Sequence, residues 1–444
     1  MQIPGIFAAL AGGGGFAYIT YDSNTTYYRR YNALAADSTN VYLGGVVGDY
    51  SGAWNGWTPS NKPLVTKINH VAKTVSFHNQ YNNPNTYMSG ISDMIMDGSS
   101  NWYMLVGGEP AWSGSTNQSR PWVGKFNSGD SQQWGYEYSA NSKGQSGLSN
   151  LFFSGSTIYA PGNSNAGARG IFFKIDSSSG SSTITQQIAN GAGSYSNGVS
   201  GRVYSDGKYL WQTWYDSGPA GINLLNSNNT INSSYTTGGT IYPGTMNLDG
   251  NENLILGGNN NSGAARIAKI NTSFSTVWSR GFTVSGTTNC ERVVVNTATN
   301  DVYAAMSEIY DSTNEYYYSY LVKYNSSGSI QWQRRFTSNF NGLKINDMKI
   351  VGTDLHICGY LGGKNNGTKC FYIKISYTSA PTAQTVTFSN GDTITIDNGS
   401  GTDSSQTVTL TSTSYSWGSD GAGTTSFTPS SSSKSLTTIN KEIV

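Results

Sequence analysis

The sequence predicts an all-β fold: a seven-bladed β-propeller of four-stranded blades, closed by an N-terminal strand and followed by a small C-terminal β-rich extension. Three observations lead there. Glycine (54 of 444 residues) and tyrosine (30) are abundant while only 11% of residues are charged, a balance that favours many short strands joined by turns. A turn signal followed by a short apolar run recurs seven times, and periods of this length mark repeat architectures. A lysine returns at one position in six of the seven repeats.

The unit opens with a short apolar strand and a tight turn. The turn stands at Asp37-Ser38, Asp97-Gly98, Ser154-Gly155, Asp206-Gly207, Asp249-Gly250, Thr297-Ala298 and Val351-Gly352. The second strand follows each time, as at Val41-Tyr-Leu-Gly-Gly45 and Leu254-Ile-Leu-Gly-Gly258. Apolar runs this short, ending in small residues, read as buried strands. After a variable loop the third strand carries Lys67, Lys125, Lys174, Lys269, Lys323 or Lys374, with Leu224 in the fourth unit. The fourth strand alternates, as in Trp332-Gln-Arg-Arg-Phe336 and Val277-Trp-Ser-Arg-Gly-Phe282, which reads as the outermost and wettest strand.

No comparable fourth strand directly follows Cys370-Phe-Tyr-Ile-Lys-Ile375. Tyr27-Tyr-Arg-Arg-Tyr31 matches Trp332-Gln-Arg-Arg-Phe336, so residues 26–31 are expected to complete the seventh blade and remove an open edge. The predicted organisation is a 1–25 N-terminal anchoring segment, a 26–379 propeller and a 380–444 Ser/Thr-rich extension. In the extension Thr385-Val-Thr-Phe388, Thr393-Ile-Thr-Ile396 and Thr407-Val-Thr-Leu410 read as short strands, either within a loose tail or as an appendage that docks on a partner.

Over residues 26–376 the repeat resembles bacterial β-propeller repeats in which a strand ends in Lys-x-Asn or Lys-x-Asp, and Gly and Trp open the next. Asn325-Ser-Ser-Gly328-Ser-Ile-Gln-Trp332 is the best copy, and Asp176 with Gly180 is a partial one lacking the Trp. The resemblance implies a fold and little about function, since propellers host enzymes and inert platforms alike.

The formal net charge of +1 leaves no electrostatic footprint for nucleic acid or an anionic membrane. The apolar head, Ile3 to Ala11, is too short to span a bilayer and lacks a basic leader. Neither nucleic-acid binding nor membrane insertion is expected. His70, His78 and His356 have no metal-ligand spacing, and His356 sits in a buried-type strand. Asp249, Asn251 and Asn253 start like a calcium loop but lack the later bidentate Glu, so a blade turn explains them better. Glu109, Asp216, Glu308 and Asp311 are the carboxylates whose pairing across the ring would support glycoside hydrolysis, and no spacing argues for it. Cys358 and Cys370 are close enough in sequence to lie on adjacent strands, with buried free thiols the expected state. No cofactor, metal or catalytic residue is expected.

Candidate binding residues lie on loops expected to share one face. They are Tyr50, Trp54 and Trp57 in loop 46–63, Trp112 in loop 109–121, and Tyr310, Tyr316, Tyr317 and Tyr318 in loop 307–319. Aromatic side chains on loops supply large contact area at small entropic cost. In style the chain resembles virion proteins of tailed bacteriophages, tail or surface-decoration components. That resemblance implies a non-enzymatic structural and binding protein of the virion, whose partners are other virion proteins, copies of itself or a host-surface glycan. A secreted adhesin or lectin-like protein and a polysaccharide-degrading propeller enzyme are the alternative readings.

Overall fold

The computed structural model describes residues 5–10, 15–20, 27–49, 62–81, 90–107, 121–138, 146–164, 169–188, 196–215, 218–228, 230–260, 262–363, 368–413 and 438–442. The described residues are all-β and form seven antiparallel sheets, the blades of a seven-bladed β-propeller. No helix among them is long and apolar enough to cross a membrane. Each predicted turn falls between the first and second strands of a blade. In blade 5, Asp249 lies between Tyr242–Leu248 and Leu254–Asn259; in blade 7, Gly352 lies between Leu343–Val351 and Asp354–Gly362.

The chain divides into two compact units. Blades 5, 6, 7 and 1 fall in the unit made of Met1–Tyr81, Gly244–Val408 and Thr438–Val444; blades 2, 3 and 4 fall in the unit made of Asn82–Pro243 and Thr409–Thr437.

An N-terminal strand closes blade 7, but it is not the 26–31 strand expected. Phe16–Thr20 pairs antiparallel with Thr368–Ser376, Phe16 opposite Lys374 and Ile19 opposite Phe371. Gly5–Ala9 adds a fifth strand outside it. Residues 5–9 and 16–20 are therefore part of a blade, within the span read as an anchoring segment. Tyr27-Tyr-Arg-Arg-Tyr31 instead begins the inner strand of blade 1, Tyr27–Ala36, with a bulge at Asn32. The physical reason is length. The inner strand of blade 1 runs to ten residues, as does Thr287–Asn296 of blade 6, so the Tyr/Arg run and the Ala-rich run before Asp37 are one strand. The closing strand is buried on both faces: Phe16 and Tyr18 pack with Leu34, Val41 and Leu43 of blade 1, and Ala17 and Ile19 pack with Ile357, Phe371 and Ile373 of blade 7.

The repeated Lys and the Gly/Trp pair are parts of a clasp between successive blades. In blade 5, the Lys269 ammonium lies 2.7 Å from Asp249 and reaches the Ser326 carbonyl in the turn of blade 6. Trp278 donates from Nε1 to the same carbonyl at 3.0 Å. Its indole lies over Gly328, where φ is +81° and a Cβ would meet Trp278 Cδ2 at 2.6 Å. Only glycine satisfies both demands. Blades 2 and 3 repeat the device: Lys125 and Trp134 both donate to the Ser177 carbonyl, at 3.1 and 3.2 Å, and Trp134 lies over Gly180. Lys174 of blade 3 donates to Ser227 in the turn of blade 4 at 3.3 Å.

The C-terminal extension runs over the outer edges of the blades. Thr393–Asn398, itself paired with Gln384–Thr387, pairs with the outer strand of blade 6, Ile330–Ser338. Thr402–Ser405 pairs with the outer strand of blade 5 and Thr411–Thr413 with that of blade 4. Thr438–Glu442 pairs with the outer strand of blade 1. The fourth strand is thus covered in these blades, contrary to its reading as outermost. Val386, Phe388, Ile394 and Ile396 are buried in the same apolar cluster as Phe336 and Leu343, which is why this Thr-rich sequence keeps an apolar residue at alternate positions.

Candidate functional site

Of the predicted binding residues, the structure brings three together at the hairpin tip of blade 6. The strands Asp301–Asp311 and Tyr316–Tyr324 extend through most of the span read as a long loop, leaving only residues 312–315 as a turn. Asp311 fixes that turn: its carboxylate accepts the backbone N–H groups of Thr313 and Asn314 and the Asn314 side-chain amide at 2.8 to 3.1 Å. The Asn314 side chain, first among these donors, holds the Asp311 carboxyl below its ordinary range.

Strand alternation sorts the tyrosines. Glu308 lies opposite Tyr318 and Ile309 opposite Tyr317, with a bulge between Ile309 and Asp311. The bulge re-aims Tyr310, and its ring stacks on Tyr318 at 4.0 Å between centroids and 15° between planes. Tyr316 completes the group at 5.9 Å from Tyr310. Tyr317 points to the other face and is buried there, edge-on to Tyr360 of blade 7 and beneath the Lys344 ammonium at 4.7 Å. It supports the tip and is not part of its exposed surface. Tyr310 is 40% exposed, and burial together with the neighbouring phenols of Tyr318 and Tyr316 pushes its hydroxyl up to about 12. Tyr50, Trp54, Trp57 and Trp112 lie outside the described residues.

Two residues of this site escape a reading of the blades alone. Arg335 lies over the Tyr318 ring at 5.3 Å and pairs bidentately with Asp397 from the C-terminal extension, at 2.8 to 3.2 Å. The alternation Ile394-Thr395-Ile396-Asp397 marks a strand whose acid points away from its apolar face, the only sequence sign of this partner.

The remaining titratable candidates are tied into the fold. Glu308 is buried and accepts from Tyr320, Ser285 and the Gly286 backbone at 2.8 to 3.1 Å; it does not face Asp311, which caps the turn. Glu109 and Asp216 lie outside the described residues. Asp249 caps the blade 5 turn and pairs with Lys269, as expected of a blade turn. Burial pulls its carboxyl up, but Lys269 and the donors of Asn253 and Asn251 overcome this and hold it below the ordinary range. Cys358 and Cys370 are free and buried; Cys358 lies opposite Tyr372 and Cys370 opposite Tyr360, a register offset that separates them.

The histidines gather at the seam of blades 7 and 1. Tyr18 bonds His78 Nε2 at 2.8 Å, and His78 Nδ1 bonds Thr66, which in turn bonds Tyr31. Burial, with a smaller contribution from Arg29, lowers His78 to about 4. The rings of His70 and His356 lie 4.7 Å apart, with the Lys374 ammonium 3.3 Å from His70 Nδ1. Burial first, then His70 and Lys374, lowers His356 to about 3. With a lysine ammonium against the pair, the arrangement suits neutral imidazoles in a wall. Among the described residues no group of three or more His, Cys, Asp or Glu side chains converges as a metal site would require.

No protein-family model matches the sequence, and no curated protein matches it. Solved structures match across most of the chain at low identity. A protein of unknown function from Dyadobacter fermentans is 10% identical, covers 80% of this chain and 96% of its own, and has a TM-score of 0.49. A protein of unknown function from Bacteroides caccae is 9% identical over 75% and 93% of the two chains, with a TM-score of 0.37. A subtype N11 neuraminidase-like protein of A/flat-faced bat/Peru (H18N11) is 11% identical over 82% and 95%, with a TM-score of 0.40.

Proposed function

We propose that this chain is a non-enzymatic structural and binding protein of a tailed-phage virion, a tail or capsid-surface part that uses its propeller as a rigid platform for assembly or host-surface recognition. A β-propeller fold is compatible with binding and structural roles alike. The observation that carries the reading is the contrast between the tip of blade 6 and everything else with chemistry in it. Core acids and bases such as Lys269, Asp249 and Glu308 are held in fixed partnerships that join strands or blades and the described thiols are free but buried, whereas Tyr310 is exposed on a stacked, pre-ordered support. Fixed ion pairs and neutral buried histidines favour a scaffold over acid–base chemistry. The virion assignment rests on composition: an uncharged, Gly- and Tyr-rich propeller with a Ser/Thr-rich β extension.

The test is a mass-spectrometric inventory of purified virions, together with binding of the recombinant chain to host cells. Presence in stoichiometric amount in the particle supports the proposal, and absence from the particle refutes the virion assignment.

A further inference from the structure

The tyrosine tip allows a ligand class to be named, an inference that rests on the binding role just proposed. We propose that Tyr310, backed by Tyr318, is a stacking platform for an uncharged pyranose residue of a surface polysaccharide.

One face of the Tyr310 ring is taken by Tyr318 at 4.0 Å, and the residue remains 40% exposed. It is one of only three large hydrophobic side chains exposed to this degree among the described residues; the others, Val71 and Val277, are aliphatic. The stack fixes the orientation of Tyr310 before any ligand arrives, so little side-chain entropy remains to be lost on binding. A flat, pre-ordered aromatic surface with a negative face matches the C–H face of a pyranose, whose hydrogens carry slight positive charge, by dispersion and quadrupole attraction.

The rim supplies the polar half of such a contact. Asp311 accepts three hydrogen bonds within its turn. An ionised carboxylate has about four lone-pair sites, so an acceptor position remains for a sugar hydroxyl beside the ring.

Charge argues for a neutral residue. Arg335, the cation beside the stack, is already bound by both oxygens of Asp397 and rests on Tyr318. Lys344 is paired with Glu291 at 3.1 Å and Lys369 with Asp392 at 2.6 Å. Among the described residues, a uronic or sialic acid drawn to any of these three cations would have to break its pair, while its own carboxylate approached Asp311. A neutral hexose meets neither obstacle.

The test uses the full chain and a panel of soluble oligosaccharides: neutral gluco-, galacto- and N-acetylglucosamine oligomers, with uronic-acid and sialylated counterparts. Binding is read by saturation-transfer NMR and titration calorimetry. The expected result is that at least one neutral oligomer binds at millimolar Kd or tighter and its acidic counterparts bind at least tenfold more weakly. Tyr310→Ala should weaken the neutral ligand at least tenfold, and Tyr310→Trp should retain it. Because Tyr310 lies at a hairpin tip and only its stack on Tyr318 is at stake, both variants should unfold cooperatively within about 4 °C of wild type, which separates loss of the platform from loss of the fold. The proposal is overturned if no neutral oligomer binds at about 5 mM, a concentration that would largely saturate a site of 1 mM Kd, if acidic oligomers bind more tightly, or if Tyr310→Ala leaves binding unchanged. None of these outcomes bears on whether the chain is present in the particle.

Discussion

Replacing Lys269 by Met tests whether the repeated lysine is a structural clasp. The ammonium and the Asp249 carboxylate are 2.7 Å apart, with side chains only 7% and 0% exposed. Met keeps most of the aliphatic stem, so the change removes charge with little loss of volume. Breaking a buried pair from one side costs about 3–5 kcal/mol, because the remaining charge has no compensation. Here the Asp249 carboxylate keeps the backbone donors of Asn251 and Asn253 and the Asn253 amide, at 2.8 to 3.1 Å, which places the expected loss near the lower end, about 3 kcal/mol. Adding Asp249→Asn removes the stranded charge while leaving an oxygen to cap the turn, and should restore about half of the loss. The assay is urea denaturation of the wild type and the two variants by circular dichroism and intrinsic fluorescence, repeated from pH 7 to pH 4.

The pH dependence has a definite sign. In the wild type the depressed Asp249 carboxyl contributes stability that is present above its unfolded pKa and is lost as pH falls through the folded value. Removing Lys269 takes away the largest of the influences that hold this pKa down, so the pKa rises and the single variant should gain stability relative to wild type as the pH drops toward 4. A loss under 1 kcal/mol, or a pH profile parallel to wild type, would refute the clasp.

Three further outcomes are expected. Gly328→Ala places a Cβ 2.6 Å from Trp278 at a φ of +81° and should cost about 2–3 kcal/mol with a red-shifted tryptophan emission, whereas Gly207→Ala, at the same φ but with its nearest contact at 3.6 Å, should cost only about 1 kcal/mol; equal losses would deny the Trp–Gly contact. His78, lowered to about 4, favours the folded state while neutral, so stability should be fully present above pH 6.5 and decline as pH falls toward 4, by at most about 3 kcal/mol; His78→Gln should flatten that decline, and thermal melts across the range decide it. Ending the chain after residue 380 uncovers Phe336 and the outer edges of blades 1, 4, 5 and 6 and forfeits five buried hydrophobic side chains among the described residues, at about 1.5–3 kcal/mol each; light scattering should show aggregation, and a monomer as stable as the full chain would contradict the packing described.

The repeat was legible because each blade buries the same kind of strand behind the same kind of turn, and turns such as Asp97-Gly98 and Asp249-Gly250 reveal themselves by residue type. The Lys-x-Asn and Gly/Trp pattern was visible as well, but not its purpose, since Lys269 and Ser326 are brought together only when one blade packs on the next. The closing strand was misplaced because Tyr27-Tyr-Arg-Arg-Tyr31 imitates an outer strand in alternation, while Arg29 is in fact buried, its N–H donating to Thr368 of blade 7. The tyrosine tip was half legible. Sequence clusters Tyr310 with Tyr316, Tyr317 and Tyr318, but the bulge at Tyr310 decides which rings stack, and the partner of Arg335 arrives from more than sixty residues away.

The wiring of the outer edges also orders events on the ribosome. The hairpin of Gly5–Ala9 and Phe16–Thr20 emerges first, yet it has no blade to join until Thr368–Ser376 has been made, roughly 350 residues later, or about 20–70 seconds at ordinary elongation rates. Blades 4, 5 and 6 are synthesised in that order, but the strands that cover them arrive in reverse, blade 6 first. Blade 4 is therefore translated earliest of the three and shielded last, and a nascent chain spends that interval offering bare strand edges to its neighbours on the same messenger.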